Sequence, residues 1–83
     1  MIARIYVTPK ESVLDPQGKA VHAGLQSLGF DSTRDVRIGR FLVVDLDATD
    51  PDQARETATA MCEKLLANTV IEEYRIEIDE ATG

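Results

Sequence analysis

Cysteine and histidine are nearly absent. The chain of 83 residues contains one of each, Cys62 and His22, and no tryptophan. A single cysteine closes no internal disulfide, and without CxxC or HxxxH spacing the usual zinc ligand sets are missing. A chain this short buries only about 60% of the surface its unfolded form exposes. Disulfides, a metal or self-association commonly supply the missing stability. The first two lack residues here, which leaves self-association.

Long apolar runs are missing as well. The longest, Phe41 to Val44, falls far short of the roughly 18 residues that span a bilayer. Basic side chains are few, nine against fifteen acidic, for a formal charge of −6. That field repels phosphate backbones. The arginines are dispersed, and only Tyr6 and Tyr74 are placed to stack beside them, so no nucleic-acid partner is expected. No charged-then-apolar leader precedes the first strand-like run, and the cytoplasm is the expected compartment.

What is present reads as one domain, residues 1–83. Ile2 to Thr8 alternate, with Ala3, Ile5 and Val7 on one face and Arg4, Tyr6 and Thr8 on the other, the period of a half-buried strand. A loop, Pro9 to Leu14, leads to Asp15 as N-cap and Pro16 at the first helical position. Val21, Leu25 and Leu28 then recur at helical spacing until Gly29. Residues 34–47 form a second β region, too long for one ordinary strand, and predict two strands joined near Gly39. In the later one Leu42, Val44 and Leu46 share a face, while Phe41 and Val43 put apolar bulk on the opposite face.

Asp50 and Pro51 repeat the cap-plus-proline device, with Gln53 at the capping-box position. Ala54, Ala58, Met61, Cys62 and Leu65 stripe a second helix that ends near Ala67. Asn68 suits the helix stop. Val70 to Ile78 reads as the last strand, with Tyr74, Ile76 and Ile78 on one face, and residues 79–83 as a frayed tail. The order β-α-β-β-α-β predicts an α+β, ferredoxin-like sandwich: a four-stranded antiparallel sheet with two helices on one face. The other face, bearing Phe41 and Val43, is left for association with a second copy or another protein.

Chemistry-bearing constellations are sparse. His22 lies beside the apolar stripe of the first helix with no flanking motif, and a solvated helix histidine is the expectation. Cys62 falls inside an apolar stripe, where a thiol packs and stays protonated. Glu72, Glu73, Glu77, Asp79 and Glu80 lie along a strand and its end, so their side chains diverge rather than converge on a metal. Gly18, Gly24 and Gly29 do not make a phosphate-binding loop. Lys10, Arg37 and Arg40 stand out as basic residues in a loop and around the Gly39 bend, and either solvated charge or a docking role accounts for them. No catalytic residue and no metal site is expected.

Three runs carry a resemblance: YVTPKESVLDPQGKAV from Tyr6 to Val21, DVRIGR from Asp35 to Arg40, and MCEKLLANTVIEEYRIEI from Met61 to Ile78. Together they resemble the PurS family, the small subunit of the three-part phosphoribosylformylglycinamidine (FGAM) synthase of purine biosynthesis. The match is poorest from Leu42 to Thr59, where only the pattern of apolar and capping residues is kept. The resemblance implies a non-catalytic homodimer or homotetramer. It would bridge a glutaminase subunit and a large synthetase subunit and assist ammonia transfer for conversion of FGAR to FGAM. ATP and magnesium belong to the large subunit, and this chain is expected to bind neither. By the same resemblance, Lys10, Glu11, Asp35, Arg37, Gly39, Arg40, Asn68 and Thr69 are candidate partner contacts.

Two rivals share the fold. One is a dimeric small-molecule-binding regulatory module with ligands at its interface. The other is an acylphosphatase-like enzyme, for which the segment from Thr8 to Leu14 lacks the required arginine and asparagine.

Overall fold

The computed structural model describes residues 1–80. Strand β1 (Ile2–Pro9) is central. Strand β2 (Arg40–Asp45) and strand β3 (Glu72–Asp79) flank it, both antiparallel, in the order β2-β1-β3. Helix α1 (Pro16–Ser27) connects β1 toward β2, and helix α2 (Pro51–Met61) connects β2 to β3. The predicted faces hold in the pairing: Ile5 lies opposite Leu42 and Ile76, and Tyr6 opposite Phe41 and Arg75.

The core sits between the inner face of the sheet and α2. Ala3, Ile5 and Val7 of β1 are fully buried, as are Ala54 and Ala58 of α2 and Cys62 just beyond it. Alanines at 54 and 58 follow the helical repeat and bring the helix close to the sheet. Asp50 caps α2 by accepting a hydrogen bond from the Gln53 amide at 3.3 Å. The helix runs on as a π-helical turn, Cys62–Leu66, closed by the Ala67 amide on the Cys62 carbonyl at 3.1 Å. The wider turn seats both Cys62 and Ala67 in the core.

The ferredoxin-like α+β class holds, but three details differ from the sequence expectation. The sheet has three strands, because residues 34–39 join no ladder. Their groups are engaged elsewhere: the Ile38 amide donates to Asp15 Oδ2 at 2.8 Å, and Arg37 reaches back to the loop after β1. Helix α1 does not lie on the sheet. Only Gly18 at its start is buried, and Val21 and Leu28 of its apolar stripe are exposed. The last strand begins two residues later than predicted, at Glu72, and continues through Asp79, which pairs with Ile2 and bonds Arg4 at 2.9 Å. Asp79 is therefore not tail. Residues 81–83 of the predicted tail lie outside the described residues.

Helix α1 and the returning segment 30–38 thus form an arm. Asp15 ties its root by accepting from the Gly18 amide at 3.0 Å as well as from Ile38. These two donors hold the Asp15 carboxyl below its ordinary pKa. Farther out, Gly29 takes the left-handed φ of +96° that ends the helix. His22 Nε2 donates to the Thr33 carbonyl at 2.8 Å, so this histidine is half-buried and bonded within the arm rather than solvated. The described residues measure 49 × 28 × 14 Å.

Candidate docking surfaces

One candidate surface is the end of the sheet where β1 leaves and β2 and β3 begin. The register sets it: Val7 lies opposite Arg40, and Pro9 opposite Glu72. The Lys10 amide donates to the Ile71 carbonyl at 2.9 Å, joining the loop after β1 to the turn before β3. The Arg37 guanidinium crosses the same loop. It donates to the carbonyls of Glu11 at 3.2 Å, Pro9 and Val13 at 3.4 Å, and Lys10. Its planar fork suits several acceptors at once, which a lysine cannot match. Gly39 passes so close to β1 that a Cβ there would overlap the Val7 carbonyl.

Arg40 is engaged as well. Its guanidinium makes a two-pronged pair with Glu72, at 2.7 and 2.9 Å, and donates to the Leu66 carbonyl at 2.7 Å. Glu72 also accepts from the Asn68 amide at 2.8 Å. The arginine and this amide lower the Glu72 pKa, and the bond to Glu72 raises that of Arg40. Asn68 Oδ1 receives the Val70 amide at 3.2 Å, and its carbonyl receives those of Ile71 and Glu72. The α2-to-β3 connection is closed by this knot.

Lys10, Glu11, Arg37, Gly39, Arg40, Asn68 and Thr69 are therefore brought to one end of the molecule. Asp35 lines a concavity of about 340 Å³ at the root of the arm, together with Glu11, Asp15, Lys19 and Arg37. Within the set, the two arginines and Asn68 brace the scaffold. The side chains of Lys10, Glu11 and Asp35 have no partner among the described residues. Which of these residues brace the scaffold and which present their side chains depends on main-chain carbonyls that no motif records.

The second surface is the outer face of the sheet. Phe41 and Val43 stand 55% and 58% exposed on β2. Tyr6 packs beside Phe41 with ring centroids 4.9 Å apart, and the Arg75 guanidinium lies 4.2 Å above the Tyr6 ring. Glu77 accepts from the Tyr6 hydroxyl at 2.7 Å and from Arg75 at 2.8 Å. These bonds lower the Glu77 pKa, and the bond to Glu77 raises that of Tyr6. Sequence reading missed the group of Tyr6, Arg75 and Glu77; its signal was the β1–β3 register, which sets Tyr6 opposite Arg75.

Cys62 is fully buried, and burial pushes its thiol pKa up, away from the range of a nucleophile. Among the described residues, no group of three or more His, Cys, Asp or Glu side chains is placed to hold a metal ion. No helix of the described residues is long and apolar enough to cross a membrane.

Fold and surfaces together define the class: a small ferredoxin-like α+β chain whose distinctive residues brace a scaffold and present faces. The family model for PurS, described as phosphoribosylformylglycinamidine (FGAM) synthase, matches residues 2–80. This chain belongs to the PurS family. It is 51% identical over 80 residues to the FGAM synthase subunit PurS of Synechocystis sp., covering 96% of this chain and 80% of the relative. It is 49% identical to that of Bacillus subtilis, covering 96% and 94%. The solved B. subtilis PurS structure superposes with a TM-score of 0.83 at 48% identity, over 95% of this chain and 98% of that one. A chain of the PurLQS structure from Thermotoga maritima superposes with a TM-score of 0.80 at 25% identity, over 93% and 96%.

Proposed function

We propose that the chain, a PurS subunit of FGAM synthase in purine biosynthesis, is the non-catalytic connector of that complex in the cytoplasm. It bridges a glutaminase subunit and an ATP- and magnesium-dependent synthetase subunit, and assists the passage of ammonia used to convert FGAR to FGAM. Ammonia is readily protonated and lost to water, so two separate active sites need alignment and a sealed junction. That task requires rigid, shaped surfaces and no nucleophile on the connector itself.

The observation that carries this reading is the presentation of Lys10, Glu11 and Thr69 at a braced sheet end, with Asp35 beside Glu11 at the root of the arm, in a chain whose relatives are FGAM synthase subunits. Arg37, Arg40, Gly39 and Asn68 stiffen the loops that present them. Phe41 and Val43 serve self-association through the outer sheet face. The test is gel filtration of the purified glutaminase and synthetase subunits with and without this chain. The bridging role requires all three to co-migrate only when it is present. Co-migration of the two larger subunits in its absence contradicts that role.

A further inference from the structure

The concavity at the root of the arm, about 340 Å³, is walled by three parts of the chain: the loop after β1, the first turn of α1, and residues 35–37. These walls are tied to one another. The Arg37 guanidinium donates to the Glu11 carbonyl at 3.2 Å, and the Asp15 carboxylate accepts from the Gly18 and Ile38 amides at 3.0 and 2.8 Å. A Cβ at Gly18 would overlap the Val36 carbonyl, so helix and returning segment cross in close contact. Ligand sites commonly run from about 300 to about 1,000 Å³. This one suits a small molecule.

Its charges are of both signs and are not neutralised by one another. Elsewhere among the described residues Arg4, Arg40 and Arg75 each pair with a carboxylate. Here Glu11, Asp35 and Lys19 line one concavity, and none of the three has a partner among the described residues. Arg37, also in the wall, donates to main-chain carbonyls and pairs with no carboxylate. Its Nε is the one buried side-chain nitrogen or oxygen among the described residues without a hydrogen-bond partner. A buried charged donor is normally matched. Both oxygens of Asp15 are taken by amides, so the carboxylates open to a ligand are those of Glu11 and Asp35.

We propose that this concavity binds a free α-amino acid. Glu11 and Asp35 take its ammonium group, and Lys19 takes its carboxylate, with the Arg37 guanidinium adding positive charge to the wall. Leu14 and Val36 flank its side chain. A phosphate-bearing ligand would face three carboxylates and is disfavoured. Glu11, Lys19 and Asp35 are exposed, so each ion pair contributes modestly and the affinity is millimolar. The occupant touches both the loop that presents Lys10 and Glu11 and the root of the arm, and its binding stabilises that arrangement by mass action. Glutamine, the nitrogen source of the proposed complex, belongs to this ligand class, but the site itself does not depend on bridging.

The test uses the isotope-labelled chain alone, without other subunits, so its outcome is separate from that of the bridging test. Amide chemical shifts are followed while L-glutamine or glycine is added. Saturable shifts centred on residues 11–15, 18–19 and 35–38 are expected for both, because the recognised groups are common to them. Ammonium chloride and sodium acetate each carry half of the recognised pair and should bind about fivefold more weakly or worse. Lys19→Gln and Asp35→Asn each remove one exposed charge and should weaken glutamine binding about two- to fivefold. Lys19→Arg keeps the charge and should retain binding, which separates loss of the contact from disturbance of the helix. The absence of saturable shifts at these amides overturns the proposal. Acetate or ammonium binding as tightly as glutamine overturns it too, as does undiminished binding in Lys19→Gln and Asp35→Asn.

Discussion

Replacing Arg37 by lysine keeps the charge and removes the fork. The wild-type guanidinium meets four carbonyls of residues 9–13, two of them at a long 3.4 Å, so it acts as about two effective bonds. A bond from a charged donor contributes about 1.5–3 kcal/mol when buried. These carbonyls lie in a loop that water reaches once it opens, and a lysine can regain one acceptor. The net loss is therefore about 1–2 kcal/mol, which corresponds to a factor of roughly 5–30 in the opening equilibrium of the loop. The loop's own amide bonds report it: the Val13 amide donates to the Lys10 carbonyl at 3.0 Å, and the Lys10 amide to Ile71. Native-state hydrogen exchange at Lys10 and Val13 should quicken by about that factor, while exchange in β1 at Ile5 stays unchanged. Equal exchange at Lys10 and Val13 in the two proteins would refute the bracing role of Arg37.

Other consequences follow from the same contacts. Cys62→Ser places a hydroxyl at a fully buried site; without a new acceptor it costs about 1–3 kcal/mol, seen as a lowered Tm. Native Cys62 should react slowly with a thiol reagent until the chain is unfolded. Asp15, Glu72 and Glu77 have pKa values below the ordinary 3.8 and 4.5 in the folded chain. The unfolded chain thus binds more protons in that range, so their stabilisation is full above about pH 5 and is lost as pH falls through the folded values. Asp15→Asn should flatten this acid limb of a stability-against-pH curve, and an unaltered limb would remove Asp15 from the explanation. Phe41→Arg with Val43→Glu alters only the exposed outer face. It should leave the circular dichroism spectrum intact and lower the association state; an unchanged mass would exclude that face from self-association.

Much of the architecture was legible because period and capping chemistry are local. The alternation in β1, the Asp-Pro starts at Asp15 and Asp50, and the buried stripe at Ala54, Ala58 and Cys62 all appear where their spacing puts them. The missing fourth strand was not legible. Residues 34–39 alternate like a strand, but their pairing is decided by a competing acceptor, the Asp15 carboxylate, some twenty residues earlier. The detachment of α1 was hidden for a related reason. An apolar stripe shows that a helix needs a partner surface, and not whether that surface belongs to the same chain. At the sheet end, a glycine bend in the sequence marks the place of Arg37 and Arg40. Their engagement with carbonyls and Glu72 is a product of register, which a motif does not encode.

The most direct test of the bridging role is to compare nitrogen sources in the reconstituted complex. Glutaminase and synthetase subunits are mixed with ATP and magnesium, and FGAM formation is measured with glutamine or with ammonium salt, each with and without this chain. If the chain couples two active sites without contributing chemistry, its omission abolishes the glutamine-driven rate and leaves the ammonia-driven rate of the synthetase in place. A full glutamine-driven rate in its absence contradicts the bridging role, and loss of both rates together would show that the chain contributes to the synthetase reaction itself.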